Sequence, residues 1–395
     1  MKIGILTHYY KSLNYGGVLQ AYALAAFLRK QGYEAEQVSY RFSSEPFARK
    51  PAPRVSTPRP SGIRGKLTRY KNALRYRLIE KPREEAYAQY KKYQLAARAE
   101  AFAAFCESVP HSADVSTPET ISEATKAYDC LITGSDQVWN FDWFNSAFFL
   151  DIPGCCAKRI AYAASAGRSD FDEAETAYLH RVLPALQAIS VRESDLAAVL
   201  NELLGTDRVV QTVDPTLLLT AGEWEALAAP RRISEPYLFC YFLHNDEALV
   251  RLAKRFARKR HLTIAAIPFP GIEYNEVDGR FGKHRFDAAS PADFLSLIRY
   301  ADYVLTDSFH ATVFSLLFEK RFATFPRSDA LRMSSRLRTL TELFGCPERF
   351  CGVPEEERFQ WLNDLPDRPV QASPERVLSE VDASKQFLSL ALGKE

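Results

Sequence analysis

Short apolar, β-branched runs alternate with stretches of helical periodicity along most of the chain. The first run, residues 2–7, reads as a buried strand. It is followed by a loop over 8–17 and a helix over 18–31, with Leu19, Tyr22, Ala26 and Phe27 on one side and Gly32 as its stop. Further strands are predicted at 128–133, 158–165, 188–191 and 209–213, with a helix around 172–186. Alternation of this kind predicts parallel strands covered on both faces by helices. The pattern loosens between residues 220 and 236, and a second series of strands follows at 237–243, 262–267 and 303–306. The expectation is an α/β protein of two doubly wound, Rossmann-like domains, 1–215 and 216–395, facing a cleft. A last helix, 374–392, packs back across both.

The most informative stretch is 300–325. A strand stops abruptly at Asp307, Ser308, Phe309 and His310, and apolar residues at helical spacing follow. In open α/β sheets ligands gather beyond the carboxyl ends of strands, and the free N–H groups of a helix start attract anions. A phosphate or carboxylate suits this position, although Asp307 and Ser308 could equally cap the helix with His310 packed beneath it. Two other polar loops follow strand ends: Asn14-Tyr15-Gly16-Gly17, and Gly134-Ser135-Asp136-Gln137 with Val138, Trp139 and Asn140. Glycines at 16 and 17 let backbone approach a ligand closely, but neither dinucleotide nor P-loop spacing is present. Two more strand ends deliver Arg192, Glu193 and Ser194, and Asp214 with Pro215.

Residues 43–66 turn to Pro, Ser, Arg and Gly, and 67–108 read as mostly helical with a break near Pro82, so about 43–108 form a basic helical insertion. Between Arg41 and Lys92 there are fifteen Lys or Arg against four Glu, a local net of +11 in a chain of net charge +2. That half of the insertion suits an anionic acceptor or acidic lipid headgroups at the periphery of a membrane. The chain opens on a strand-like run and contains no stretch of membrane-spanning length, so the expected location is the cytoplasm, at the inner face of the membrane. Seven cysteines without a CxxC pair or neighbouring histidines argue for free thiols and against a metal site.

Six motifs together resemble one family, the polysaccharide pyruvyl transferases. They are Asn14-Tyr15-Gly16-Gly17, the run from Gly134 to Asn140, Ala161-Tyr162-Ala163-Ala164-Ser165, Ser190-Val191-Arg192-Glu193, Asp214-Pro215-Thr216-Leu217-Leu218, and Thr306-Asp307-Ser308-Phe309-His310. They occur in the family's order over roughly residues 1 to 345. Two departures are Ala311, where the family usually has Gly, and Ala166, where a larger residue is common. The resemblance implies a GT-B-like fold and transfer of the enolpyruvyl unit of phosphoenolpyruvate to two hydroxyls of one sugar, giving a pyruvate ketal and phosphate. No cofactor and no nucleic acid are implied; the partners are phosphoenolpyruvate and a lipid-linked or nucleotide-linked sugar acceptor.

So charged a donor calls for a guanidinium with a two-pronged grip. Arg192 is the candidate in the first domain and Arg336 in the second, with Arg327 and Arg332 as rivals. His310 is assigned to phosphate and proton transfer and Asp136 to the acceptor hydroxyl. Ser308, Asp307, Ser135, Gln137, Asn14, Gly16 and Gly17 complete the expected binding residues. Competing readings are a nucleotide-sugar glycosyltransferase and a catalytically silent carbohydrate-binding relative.

Overall fold

The computed structural model describes residues 1–47, 70–71, 74–243, 246–268, 281–327, 335–371 and 374–393. The first half contributes strands β1 (Lys2–Leu6), β2 (Glu34–Tyr40), β3 (His111–Ser116), β4 (Cys130–Thr133), β5 (Lys158–Ala164), β6 (Ala188–Val191) and β7 (Val209–Gln211). Its helices are α1 (Tyr15–Lys30), α2 (Lys81–Cys106), α3 (Ile121–Thr125), α4 (Glu173–Val182), α5 (Ser194–Leu204) and α6 (Ala221–Leu227). The second half adds β8 (Tyr237–Tyr241), β9 (Thr263–Ala266), β10 (His284–Arg285), β11 (Tyr303–Thr306) and β12 (Phe322–Thr324). With them come α7 (Glu247–Lys259), α8 (Pro291–Arg299), α9 (Phe309–Leu317), α10 (Ser335–Leu343), α11 (Arg358–Asp364) and α12 (Glu375–Leu392).

Every strand pairing is parallel, as the alternating pattern required. The sheets run β3-β2-β1-β4-β5-β6-β7 and β10-β9-β8-β11-β12, so each winds outward in two directions from a switch point, β1/β4 in one and β8/β11 in the other. The chain folds as two doubly wound units, GT-B-like. No described helix is long and apolar enough to cross a membrane.

Local differences from the expected elements have physical causes. Helix α1 begins at Tyr15, three residues earlier than the periodicity indicates, because the Asn14 side chain accepts from the Gly17 N–H and caps a turn that two glycines would otherwise weaken. The predicted loop glycines are therefore the first turn of a helix. The inserted helix does not break at Pro82. Proline has no N–H to donate and crowds the preceding turn, and that turn, Tyr76–Glu80, is π-helical. Strands β2, β3 and β10 were not legible from periodicity; β3 is a short, half-exposed edge. Most of the Pro/Arg-rich stretch, 48–69, lies outside the described residues, as does Arg332.

One hydrophobic cluster runs unbroken from Ile3 and Ile5 through α1 to Phe239, Phe294 and Phe314 beneath the second sheet. Its rivet is Tyr15, which stacks on Phe294 at 4.7 Å, meets Tyr241 edge-on at 5.7 Å, and donates its hydroxyl to the Ala289 carbonyl at 2.9 Å. The inserted helix joins this contact: Phe102 lies 4.8 Å from Tyr15, and the buried Arg98 donates to the carbonyls of Asp287 and Pro268. At the chain's end α12 returns to the first half, where Ser384 Oγ accepts from the Val213 N–H at 3.0 Å.

Candidate active site

The two switch points face each other, and the polar strand ends meet between them. From the first sheet, β4 ends at Thr133 and turns through Gly134, whose φ of +106° no other residue adopts readily and where a Cβ would lie 2.3 Å from the Tyr162 carbonyl. The turn leaves Asp136 at a φ of 67°, a left-handed conformation uncommon outside glycine, with a carboxylate oxygen 3.7 Å from Arg192. Strand β6 delivers Arg192, and β7 leads through Thr212 and Val213 to Asp214. From the second sheet, β11 runs into α9, which presents Phe309 and His310 in its first turn.

Asp214 is the hub. One of its oxygens accepts from the Thr216 N–H and hydroxyl at 3.0 and 2.8 Å; the other accepts from Arg192 at 2.9 Å and from Ser135 Oγ at 3.3 Å. His310 Nε2 approaches the same second oxygen at 3.5 Å. Burial alone would raise the Asp214 carboxyl, but His310, Arg192 and the Thr216 N–H outweigh it and hold the group well below its ordinary value. Asp136 follows the same logic: burial pushes it up, while Arg192, His310, His8 and Arg336 pull it down further, so it stays ionised.

Two guanidiniums flank one ring. Arg192 lies 4.5 Å and Arg336 5.8 Å from the centroid of Phe309. Their electrostatic situations differ. Arg192 is buried among carboxylates, with Asp214 at 2.9 Å, Glu193 at 3.5 Å and Asp136 at 3.7 Å. Burial would lower its pKa, but Glu193, Asp214 and Asp136 more than offset that and raise it. Arg336 is half-buried, and burial together with repulsion from Arg192 brings its pKa down to about 10. It is still a cation at neutral pH, in a place that favours an arriving anion. Arg192, Phe309 and Arg336 line a cleft of about 290 Å³ whose wall also takes in Asp214, Gln211 and Thr339.

The structure brings together His310, Asp136, Arg192 and Arg336, and gives several of the other expected residues supporting tasks. Arg192, expected to grip the donor, has its charge balanced by three carboxylates and fixes their positions. Ser135 is buried, donating to the Ala163 carbonyl and to Asp214, and its N–H donates to Gln20. Asp307 accepts from the Leu243 N–H at 2.7 Å and ties β11 to the exit of β8. Ser308 caps α9 by accepting from the Ala311 N–H. Gln137 holds Asn140, and Asn14 caps α1. These short polar side chains read as ligand contacts because a cap and a binding loop use the same residue types at a strand end.

Three residues went unassigned at the sequence level: Asp214, Phe309 and His8. The first two stand inside recognised motifs, which was the available signal. His8 packs between Phe42 and Phe148 at 4.9 and 4.4 Å, with Nε2 3.3 Å from the Gln137 carbonyl. Burial lowers its pKa, against the opposing pull of Asp136.

Gly16 contributes by having no side chain. A Cβ there would fall 1.9 Å from His310 Nδ1 and 2.4 Å from its Cγ. Gly16→Ala should therefore displace the imidazole from Asp214 and bring turnover to within about tenfold of a His310-null variant, at a stability cost of about 1–3 kcal/mol from overpacking. Steady-state kinetics beside a thermal melt checks this, and wild-type turnover would contradict the placement.

The fold has counterparts among solved structures. The UDP-GlcNAc 2-epimerase of Methanocaldococcus jannaschii superimposes over 99% of this chain and 100% of its own, with a TM-score of 0.56 at 10% identity. The enzyme of the same name from Neisseria meningitidis, bound to UDP-GlcNAc, covers 99% and 100% with a TM-score of 0.51 at 12% identity. At such identities the likeness is one of fold. No curated protein matches the sequence. The family model of polysaccharide pyruvyl transferases matches residues 14–329, a span that holds Asn14, Gly16, Asp136, Arg192, Asp214 and His310, and the chain belongs to that family.

Proposed function

We propose that the protein transfers the pyruvyl unit of phosphoenolpyruvate to two hydroxyls of one sugar in a cell-surface polysaccharide or its precursor, releasing phosphate and leaving a cyclic ketal. The observation that carries this reading is the unequal arginine pair on Phe309 beside the His310–Asp214 contact. A trianion needs a cation whose charge is not already matched, and Arg336, with no carboxylate within 4 Å among the described residues, supplies one next to the His310 ring.

In the reaction a proton is added to the methylene carbon, a sugar hydroxyl adds to the neighbouring carbon, the carbon–oxygen bond to phosphate breaks, and the second hydroxyl closes the ring. One proton is gained at carbon and two are lost from hydroxyls, so one returns to the catalytic acid and one leaves with phosphate. His310, backed by Asp214, serves the proton transfer and the phosphate. Asp136, held ionised, accepts a hydrogen bond from the acceptor hydroxyl and orients it; a carboxylate so well stabilised is a weak base. Arg192 keeps Asp136, Glu193 and Asp214 in register.

The test is phosphate release from phosphoenolpyruvate in the presence of candidate sugar acceptors, with the ketal confirmed by the mass of the product. Arg336→Met should raise KM for phosphoenolpyruvate by roughly tenfold or more with kcat little changed, because a grip made in ground and transition state alike affects binding. Arg336→Lys should restore little of it, lacking the planar fork. Release of a nucleoside diphosphate from a sugar nucleotide, with none of phosphate, would replace this reading by glycosyl transfer.

A further inference from the structure

We propose that the helical arm from Leu74 to Tyr93 seats the protein on an anionic lipid surface. The inference is independent of the donor and the chemistry assigned above. The arm comprises the turn before α2 and the first half of α2, and every described side chain from 74 to 93 is exposed. Contact with the body begins at Gln94 and becomes firm at Arg98 and Phe102. At 1.5 Å per residue the arm projects on the order of 30 Å. A helix whose described side chains bury no face against its own protein forgoes there the packing that stabilises most helices.

Its composition states what would cover it. Of the eleven large hydrophobic residues exposed among the described residues, four belong to this short stretch, Leu74, Tyr76, Leu78 and Tyr93, and Tyr70 stands just before it. Leu74 and Leu78 lie about one turn apart, on the same side. Lys71, Arg75, Arg77 and Lys81 stand among them, Lys81 paired with Glu85 at 3.8 Å, and residues 74–93 carry six Lys or Arg against three Glu, a local net of +3. Aliphatic side chains between cations, with tyrosines alongside, match the boundary between acidic headgroups and acyl chains. A purely anionic polymer would satisfy the cations and leave the leucines in water. Because α2 runs on from the arm to Phe102 and Tyr15, the cleft is held at a fixed offset from the surface the arm rests on.

The test uses the whole protein and vesicles of phosphatidylcholine with or without phosphatidylglycerol, read by co-sedimentation over a range of salt. The protein should bind the phosphatidylglycerol vesicles, ignore the neutral ones, and release as salt rises. Leu74→Glu/Leu78→Glu should weaken binding at least about tenfold with an unchanged thermal melt. Lys71→Gln/Arg77→Gln, which leaves the leucines in place, should weaken binding at low salt and flatten its salt dependence. Absence of binding to the anionic vesicles overturns the proposal. So does binding indifferent to the leucine substitutions, or equally tight capture by heparin, either of which would mark the arm as a polyanion site.

Discussion

Asp214→Asn lowers the stability of the folded protein by about 3–5 kcal/mol and turnover by roughly a hundredfold or more. Asparagine keeps an oxygen for the Thr216 N–H, but where Arg192 donates at 2.9 Å it offers either a neutral oxygen or a second donor. The buried guanidinium loses its nearest counter-charge, and removal of one partner from a buried pair is costly because the other remains desolvated. His310 loses its only neighbouring carboxylate within 4 Å among the described residues. Thermal unfolding at neutral pH and steady-state kinetics read the two effects, and a melt unchanged from wild type would remove Asp214 from the centre of the site.

The same carboxylate gives a pH signature with a definite sign. Its pKa in the folded protein lies below the ordinary 3.8, so the stabilisation is fully present above about pH 4 and is lost as pH falls through the folded value. Wild type should therefore lose stability steeply on the acid side, and Asp214→Asn should show a shallower acid limb that converges on it.

His310→Gln should leave the protein folded and lower kcat by roughly a hundredfold or more. Glutamine approximates the size of the imidazole and fits beside Gly16, but it cannot exchange a proton near neutral pH. If the ring merely held phosphate, KM for phosphoenolpyruvate would rise and kcat would hardly change. Wild-type values for both constants in a folded variant would exclude His310 from the reaction. Comparison with Gly16→Ala separates chemistry from position, since that variant keeps the imidazole and moves it.

The strand ends were legible in the sequence because each β-branched run stops abruptly at a polar cluster, and parallel strands buried on both faces leave few other readings. His310, Asp136 and Arg192 could be gathered from three separate strand ends for that reason, whereas Arg336 came from the family resemblance, with Arg327 and Arg332 as rivals. What each of them does could not be read in the same way. Arg192 and Arg336 are the same residue type, and only the distances show that Arg192 has Asp214, Glu193 and Asp136 within 4 Å while Arg336 has no carboxylate that close among the described residues. Ser135, Asp307 and Ser308 look like ligand contacts until the backbone groups they satisfy come into view. Asp214 was in plain sight within a motif, and its centrality depends on contacts with residues 22, 79 and 96 positions away. Strand β3 was missed because only its last residue, Ser116, is buried and no alternation marks it.

The unbroken core beneath both sheets also constrains how substrates come and go. Swinging the halves apart would draw Tyr15 off Phe294 and wet the apolar layer that Trp224 and Phe314 share across the molecule. Domain motion is the ordinary expectation unless the interface is large and hydrophobic, and here one apolar cluster is shared by both halves. Traffic into the cleft must therefore rely on local movements at its rim, around Arg336 and the start of α10, while Asp214 in its wall is held by Arg192 and Thr216.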